Sequence, residues 1–171
     1  MSFDFQNLSK EVREKMQEEI KSDISKNNLY FSKRFNQKGR DEYSDILLKH
    51  VETGNEISLG NDLKQKGCFN SVEETKTGVK NVPYNAHETF AEGEFNRFYV
   101  RGLCLIAISK QTKLQVYRAK NVENSRSASE QKIGSFIDPQ KLLKDLRENI
   151  GIDTALELPP GPNSGLSVKL A

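Results

Sequence analysis

The sequence predicts an α+β domain: a long buried central helix against a small mixed or antiparallel sheet, with flanking amphipathic helices. Three observations predict it. Apolar residues recur at helical spacing in several separate segments, and one of these, around Val100 to Ile108, is apolar on nearly every side. Short apolar runs such as Leu114 to Tyr117 stand apart from the helices and are bounded by polar residues.

At 171 residues the chain has the length of one compact domain. Such a chain buries about two-thirds of its unfolded surface and needs no disulfide or metal to hold it. A hydrophobic fraction of 35% and a mean hydropathy of −0.69 are polar for a globular domain. Because the apolar residues are clustered periodically, the composition indicates a modest core with long solvated helix faces rather than disorder.

The first amphipathic segment carries Leu8, Val12, Met16, Ile20 and Ile24, one narrow stripe along a helix with Ser9 as N-cap and Asn27-Asn28 as stop. A stripe this narrow packs on one neighbour, either its own domain or a partner. Residues 1–28 are therefore read as an amphipathic helix available as a docking arm, residues 29–158 as the α+β core, and residues 159–171 as a Pro/Gly turn with a strand-like tail.

In the core, Leu29-Tyr30-Phe31 and Phe35 form an aromatic cluster, either strand or packed loop. Tyr43, Ile46, Leu47, His50 and Val51 predict a helix from Asp41 to Thr53, with Gly54 as a left-handed C′ residue. A shorter helix is expected from Glu56 to Gln65, ended by Gly67. Cys68 to Val82 reads as a hairpin around Lys76-Thr77-Gly78, closed by Pro83.

Asn85-Ala86-His87-Glu88 has capping-box spacing and opens the central helix, residues 86–109. A strand at Leu114 to Tyr117 follows, then an exposed loop from Asn121 to Gln131. Asp138-Pro139 starts a helix whose buried face is Leu142, Leu143, Leu146 and Ile150, stopped by Gly151. After Pro159-Pro160-Gly161-Pro162, the alternating Leu166 to Leu170 reads as a strand that pairs with a sheet edge, its own or another chain's.

Few functional classes find support in the residues. Twenty-six Lys and Arg against 24 Asp and Glu give a net charge of +2, without the basic excess of a dedicated nucleic-acid binder. Cys68 and Cys104 belong to no C-x-x-C pair and read as reduced, buried thiols. His50 lies on an apolar helix face, where a satisfied imidazole is expected, and His87 reads as a surface residue. His87-Glu88 lacks the second histidine of a zinc-protease helix, and no other metal spacing occurs. No phosphate-binding loop or serine elbow is present around Gly161 to Gly165. A metal-dependent nuclease motif is disfavoured, though left open, by the basic Arg118 standing where an acid is needed. No cofactor is implied and no enzymatic activity is expected.

Arginines remain. Arg97 and Arg101 stand one turn apart on the central helix, with Glu94 one turn before Arg97. Either carboxylates such as Glu94 pair with them at a core edge, or they join Arg118 and Arg126 in a polar pocket suited to a carboxylate or phosphate. Arg126 and Glu130 can equally form an internal ion pair.

Three strings, Ala91 to Cys104, Val116 to Lys120 and Gly161 to Val168, together resemble a family of small uncharacterised proteins associated with phage and prophages. The resemblance covers the C-terminal half, from about residue 85, and carries over no catalytic residue. It implies only a phage context, where small α+β proteins often serve in the capsid, neck or tail or bind host proteins. Within that context the expected function is a non-enzymatic virion or assembly protein that contacts itself or other phage structural proteins. On this reading the contacts run through the N-terminal stripe and through Leu166, Val168 and Leu170. An inhibitor of a host protein would leave the same marks. The alternative is a nucleic-acid-binding or nucleic-acid-processing protein with an arginine-lined pocket at Glu94, Arg97, Arg101, Arg118 and Arg126. Either is expected in the cytoplasm of a bacterial host, with no membrane partner, and the first can be assembled into the virion.

Overall fold

The structure, a computed structural model, describes residues 2–151 and 164–171. The Pro159-Pro160-Gly161-Pro162 turn and the boundary placed between residues 158 and 159 lie outside the described residues.

Local chemistry accounts for most helix starts. In α1 (Lys10–Ser25) the extended Ser9 side chain accepts from the Val12 N–H, and Asn27 beyond the end adopts φ 54°. α2 (Gln37–Thr53) starts four residues earlier than the periodicity indicates, because Asn36 caps it by accepting from the Gly39 N–H. Gly54 is extended rather than left-handed. The next residue, Asn55, is already the N-cap of α3 (Glu56–Gln65), with a reciprocal Asn55–Ser58 capping box, so the chain has no room for a left-handed terminus.

The aromatic cluster after α1 is a packed loop, tied by a single bridge between Phe35 and Phe69. A hairpin follows, β1 (Val72–Thr75) and β2 (Gly78–Asn81), turning where Gly78 takes φ 118°, open only to glycine at little cost.

α4 (Ala86–Ser109) has the predicted extent but not the predicted cap. Asn85 sits at φ −102°, ψ 17°, outside the extended region a capping side chain needs, and makes no side-chain cap. β3 (Leu114–Arg118) comes next. The stretch expected as loop contains α5 (Ser127–Lys132), and β4 (Phe136–Ile137) follows, both too short to show a period. α6 (Pro139–Glu148) is capped by Asp138 as predicted, and β5 (Leu166–Leu170) ends the fold.

α4 is the axis. It packs against α1, α3, α6 and β5, and its Phe95, Phe98, Tyr99, Leu103, Cys104 and Ala107 are buried in a core shared with α1, α2 and α3. Close approach of α1 depends on Gly102, where a Cβ would meet the Val12 carbonyl oxygen and the Met16 nitrogen, both at 3.0 Å. The main sheet is antiparallel in the order β4-β3-β5, with Val116 opposite Val168 and Leu114 opposite both Leu170 and Ile137.

The two ends of the described chain meet. Asn7 accepts from the Leu170 N–H through Oδ1 (2.9 Å), and its own N–H donates to the Tyr99 hydroxyl, which donates to the Val168 carbonyl. Tyr117 donates to the Asp4 carbonyl and accepts from the Gln6 N–H. The docking-arm reading of both ends is therefore corrected. Val12, Met16 and Ile20 pack on α4 in the chain's own core, as do Leu166 and Val168 of β5; Leu8 and Leu170 are partly buried against that core. Of the proposed contact residues only Ile24 stands well out, 40% exposed. The apolar faces are satisfied intramolecularly, which removes the driving force for them to dock elsewhere.

Candidate functional site

A cleft of about 370 Å³ opens beside the first half of α4. The loop between α1 and α2 supplies Tyr30, Ser32, Lys33 and Arg34. The hairpin supplies Glu73, α4 supplies Phe90, Gly93, Glu94 and Arg97, and Gly151 beyond α6 completes it. Three of these side chains are basic and two acidic.

Glu94 and Arg97 form the floor. Both are buried, with Arg97 Nε 3.7 Å from Glu94 Oε1. Arg97 also donates through Nη1 to the Asn149 carbonyl at 2.7 Å, at the C-terminal end of α6, where the helix dipole favours a cation. Tyr43 lies behind them, fully buried, and among the described residues its hydroxyl has no hydrogen-bond partner. Burial drives its pKa well above the ordinary value, with the Glu94 charge adding to the rise. Burial and then the same carboxylate raise Tyr30.

The rim is held by a two-pronged ion pair: Arg34 Nε donates to Glu73 Oε2 at 2.8 Å, and Nη2 to Oε1 at 3.1 Å. This ties the hairpin to the body. Lys33 beside it is exposed and makes no hydrogen bond or ion pair among the described residues. Tyr30 and Phe90 form an aromatic wall, ring centroids 6.1 Å apart.

The five residues expected in one polar pocket do not converge. Only Glu94 and Arg97 line the cleft. Arg101 leaves α4 on the side facing α1. It donates from Nη1 and Nη2 to the two Asp23 oxygens at 2.7 and 2.9 Å, and from Nε to Glu19. Glu19 in turn accepts both Arg147 Nε and Nη2 at 2.8 Å. Arg118 donates to the Ser164 carbonyl and pairs with Glu130, the acid expected for Arg126. Arg126 is the N-cap residue of α5.

Glu19 and Asp23 were legible, since they stand three and seven residues after Met16 on the flank of the apolar stripe. Counting them with the solvated face hid them.

The histidines and thiols are packed into the body of the domain. His50 bridges α2 to α3 through Ser58 and Asp62, a satisfied imidazole as expected. His87 is buried rather than superficial, because the first turn of α4 packs on α3, and burial lowers its pKa. Cys68 and Cys104 are free and buried, and burial raises both thiols. Among the described residues no group of three or more His, Cys, Asp or Glu could hold a metal ion, and no helix is long and apolar enough to cross a membrane.

A second feature lies outside the cleft. Opposed residues in an antiparallel ladder share a face, so Val72, Asn81, Glu74 and Val79 form one side of the β1–β2 ribbon. Glu73 on the other side reaches the body through Arg34. The valine face therefore points outward, with Val72 50% and Val79 67% exposed, and Tyr84 just beyond β2 is 90% exposed.

Fold and sites together define an α+β domain built on a buried central helix, carrying a polar cleft and a ribbon with two outward valines. No protein-family model, curated protein or solved structure matches the chain.

Proposed function

We propose that this protein is a non-enzymatic structural or assembly component of a bacteriophage particle, acting through protein–protein contacts, with the outward face of the β1–β2 ribbon as its contact surface. The phage setting rests on the resemblance of the C-terminal half. The observation that supports the contact role is the inverted polarity of the ribbon.

A hairpin lying on its own domain normally turns its apolar side inward and its charges to water. Here the acid Glu73 faces the body and both valines face out. The outward face also carries Glu74 and Asn81, so its apolar area is that of the two valines, and this is the area a neighbour can cover. The occupant is an apolar strand or helix face of another particle protein, since the chain's own ends are already satisfied.

The test is mass spectrometry of purified particles, comparing the wild-type chain with a Val72→Asp/Val79→Asp double variant. Both positions are exposed, so the variant should keep its far-ultraviolet dichroism and melting temperature. The proposal expects wild type in the particles and the variant excluded. Absence of the wild-type chain from particles, or equal incorporation of the variant, overturns it.

A further inference from the structure

We propose that the cleft walled by Tyr30 and Phe90 and floored by Glu94 and Arg97 is a binding site for a ligand that joins a flat aromatic ring to an anionic group, the class to which a nucleoside monophosphate belongs. This goes beyond the contact role above and does not depend on it.

The volume comes first. About 370 Å³ lies within the range of small-molecule sites, and it is enough for one nucleotide rather than a duplex. The wall comes next. Tyr30 and Phe90 are half-buried and both line the cleft, so each offers part of its ring to it. Their centroids are 6.1 Å apart at 34°. That is too close for a ring to enter between them, so a flat ligand stacks on the wall instead. The Tyr30 ring is seated on Gly151, where a Cβ would meet its Cζ at 2.9 Å, and any other residue there would displace it.

The rim supplies the anion contact. Lys33, without a partner among the described residues, stands next to Arg34, whose guanidinium is fixed by Glu73. An exposed cation beside a positioned one suits a phosphate or carboxylate at the mouth of the cleft.

The floor suits the edge of a polar ring. The floor sets a carboxylate beside a guanidinium, the pair of group types that suits a ring edge which both donates and accepts. Tyr43 packs edge-on against Phe90 behind the cleft, ring centroids 5.1 Å apart. Its hydroxyl has no hydrogen-bond partner among the described residues, and the groups that bear on it electrostatically, Glu94, Arg97 and Tyr30, all line the cleft.

Calorimetric and NMR titrations of the full chain with the four ribonucleoside 5′-monophosphates, the corresponding nucleosides and inorganic phosphate test the proposal. At least one nucleotide should bind at submillimolar concentration and perturb resonances of Tyr30, Phe90 and Arg97. Its nucleoside and inorganic phosphate should each bind at least about tenfold more weakly, because each keeps only one of the two contacts. Lys33→Glu, at an exposed position that leaves the melt unchanged, should weaken the nucleotide by about tenfold or more. Tyr30→Phe should retain binding, and Tyr30→Leu should reduce it.

Failure of every nucleotide to bind at millimolar concentration overturns the proposal. So does phosphate binding as tightly as the nucleotide, or nucleotide binding that Lys33→Glu leaves undiminished. None of these results bears on incorporation into particles, so the two proposals fail separately.

Discussion

Arg101 of α4 and Asp23 of α1 form a bidentate ion pair inside the protein, at 2.7 and 2.9 Å, with the Arg101 side chain only 1% exposed. Removing a guanidinium from water is costly, and it is tolerated here because Asp23 and Glu19 together occupy three of its nitrogens. Glu19 also carries Arg147, so α1, α4 and α6 are joined by one charge network. Breaking one side of such a pair is worse than lacking it. Asp23→Ala should lower stability by about 3–5 kcal/mol in urea unfolding. The double variant Arg101→Met/Asp23→Leu should recover a large part of that loss. A cost near zero for Asp23→Ala would show that the pair is not closed in solution.

The network also has a pH signature. Burial alone would raise the Glu19 carboxyl, but hydrogen bonds from Arg147 and the charge and hydrogen bond of Arg101 outweigh it and bring the pKa below the ordinary 4.5. A carboxyl depressed in the folded state stabilises the fold above its unfolded pKa, and the contribution is lost as pH falls through the folded value. Stability in urea should therefore begin to fall below about pH 4.5. Glu19→Gln should be less stable at neutral pH and show a shallower acid slope. An unchanged slope removes Glu19 from the explanation.

Gly102 separates two opposing effects. In an exposed helix interior, Gly→Ala gains about 1 kcal/mol of helix stability. Here the added methyl meets backbone atoms of α1 at 3.0 Å, which cannot rotate away. Overpacking of this kind costs about 1–3 kcal/mol, so Gly102→Ala should be net destabilising in thermal melts. A raised melting temperature would mean that α1 can stand further from α4 without loss.

The caps can be ranked. Asp138 accepts from the Gln140 and Lys141 N–H groups, and Asn36 from Gly39, whereas Asn85 caps nothing with its side chain. Asp138→Ala and Asn36→Ala should each cost about 1 kcal/mol, and Asn85→Ala close to nothing. Equal losses at all three positions would restore the capping box to Asn85.

Val168 distinguishes a tail used at home from one offered to a partner. It is fully buried between α4 and β3. Val168→Asp places an unpaired carboxylate in that core and should abolish or sharply lower the cooperative melt of the isolated chain. A melt that is unaffected would return β5 to the role of a docking strand.

The helices, the hairpin, β3, β5 and the α+β class were legible in the residues. Apolar spacing, Ser9, Asp138-Pro139 and Gly78 act within a turn or two of themselves, and such local signals survive in any surroundings. β4 and α5 are too short for a period to register, and the false cap at Asn85 shows that spacing without backbone conformation is not a cap. The charges were read less well. Arg97 and Arg101 are neighbours on one helix and were grouped together, yet one turns to α6 and the other to α1.

What the sequence by itself determined is therefore the set of elements and the buried faces they carry, because helical and strand periodicity is written between residues a few positions apart. Only the tertiary structure decided what covers each face. Arg101 meets an acid 78 positions away and Leu170 an asparagine 163 positions away. The outward valines and the cleft depend on how the hairpin and the loop at residues 30–34 are laid against α4. Contacts at such separations follow from the path of the whole chain, and no local pattern encodes them.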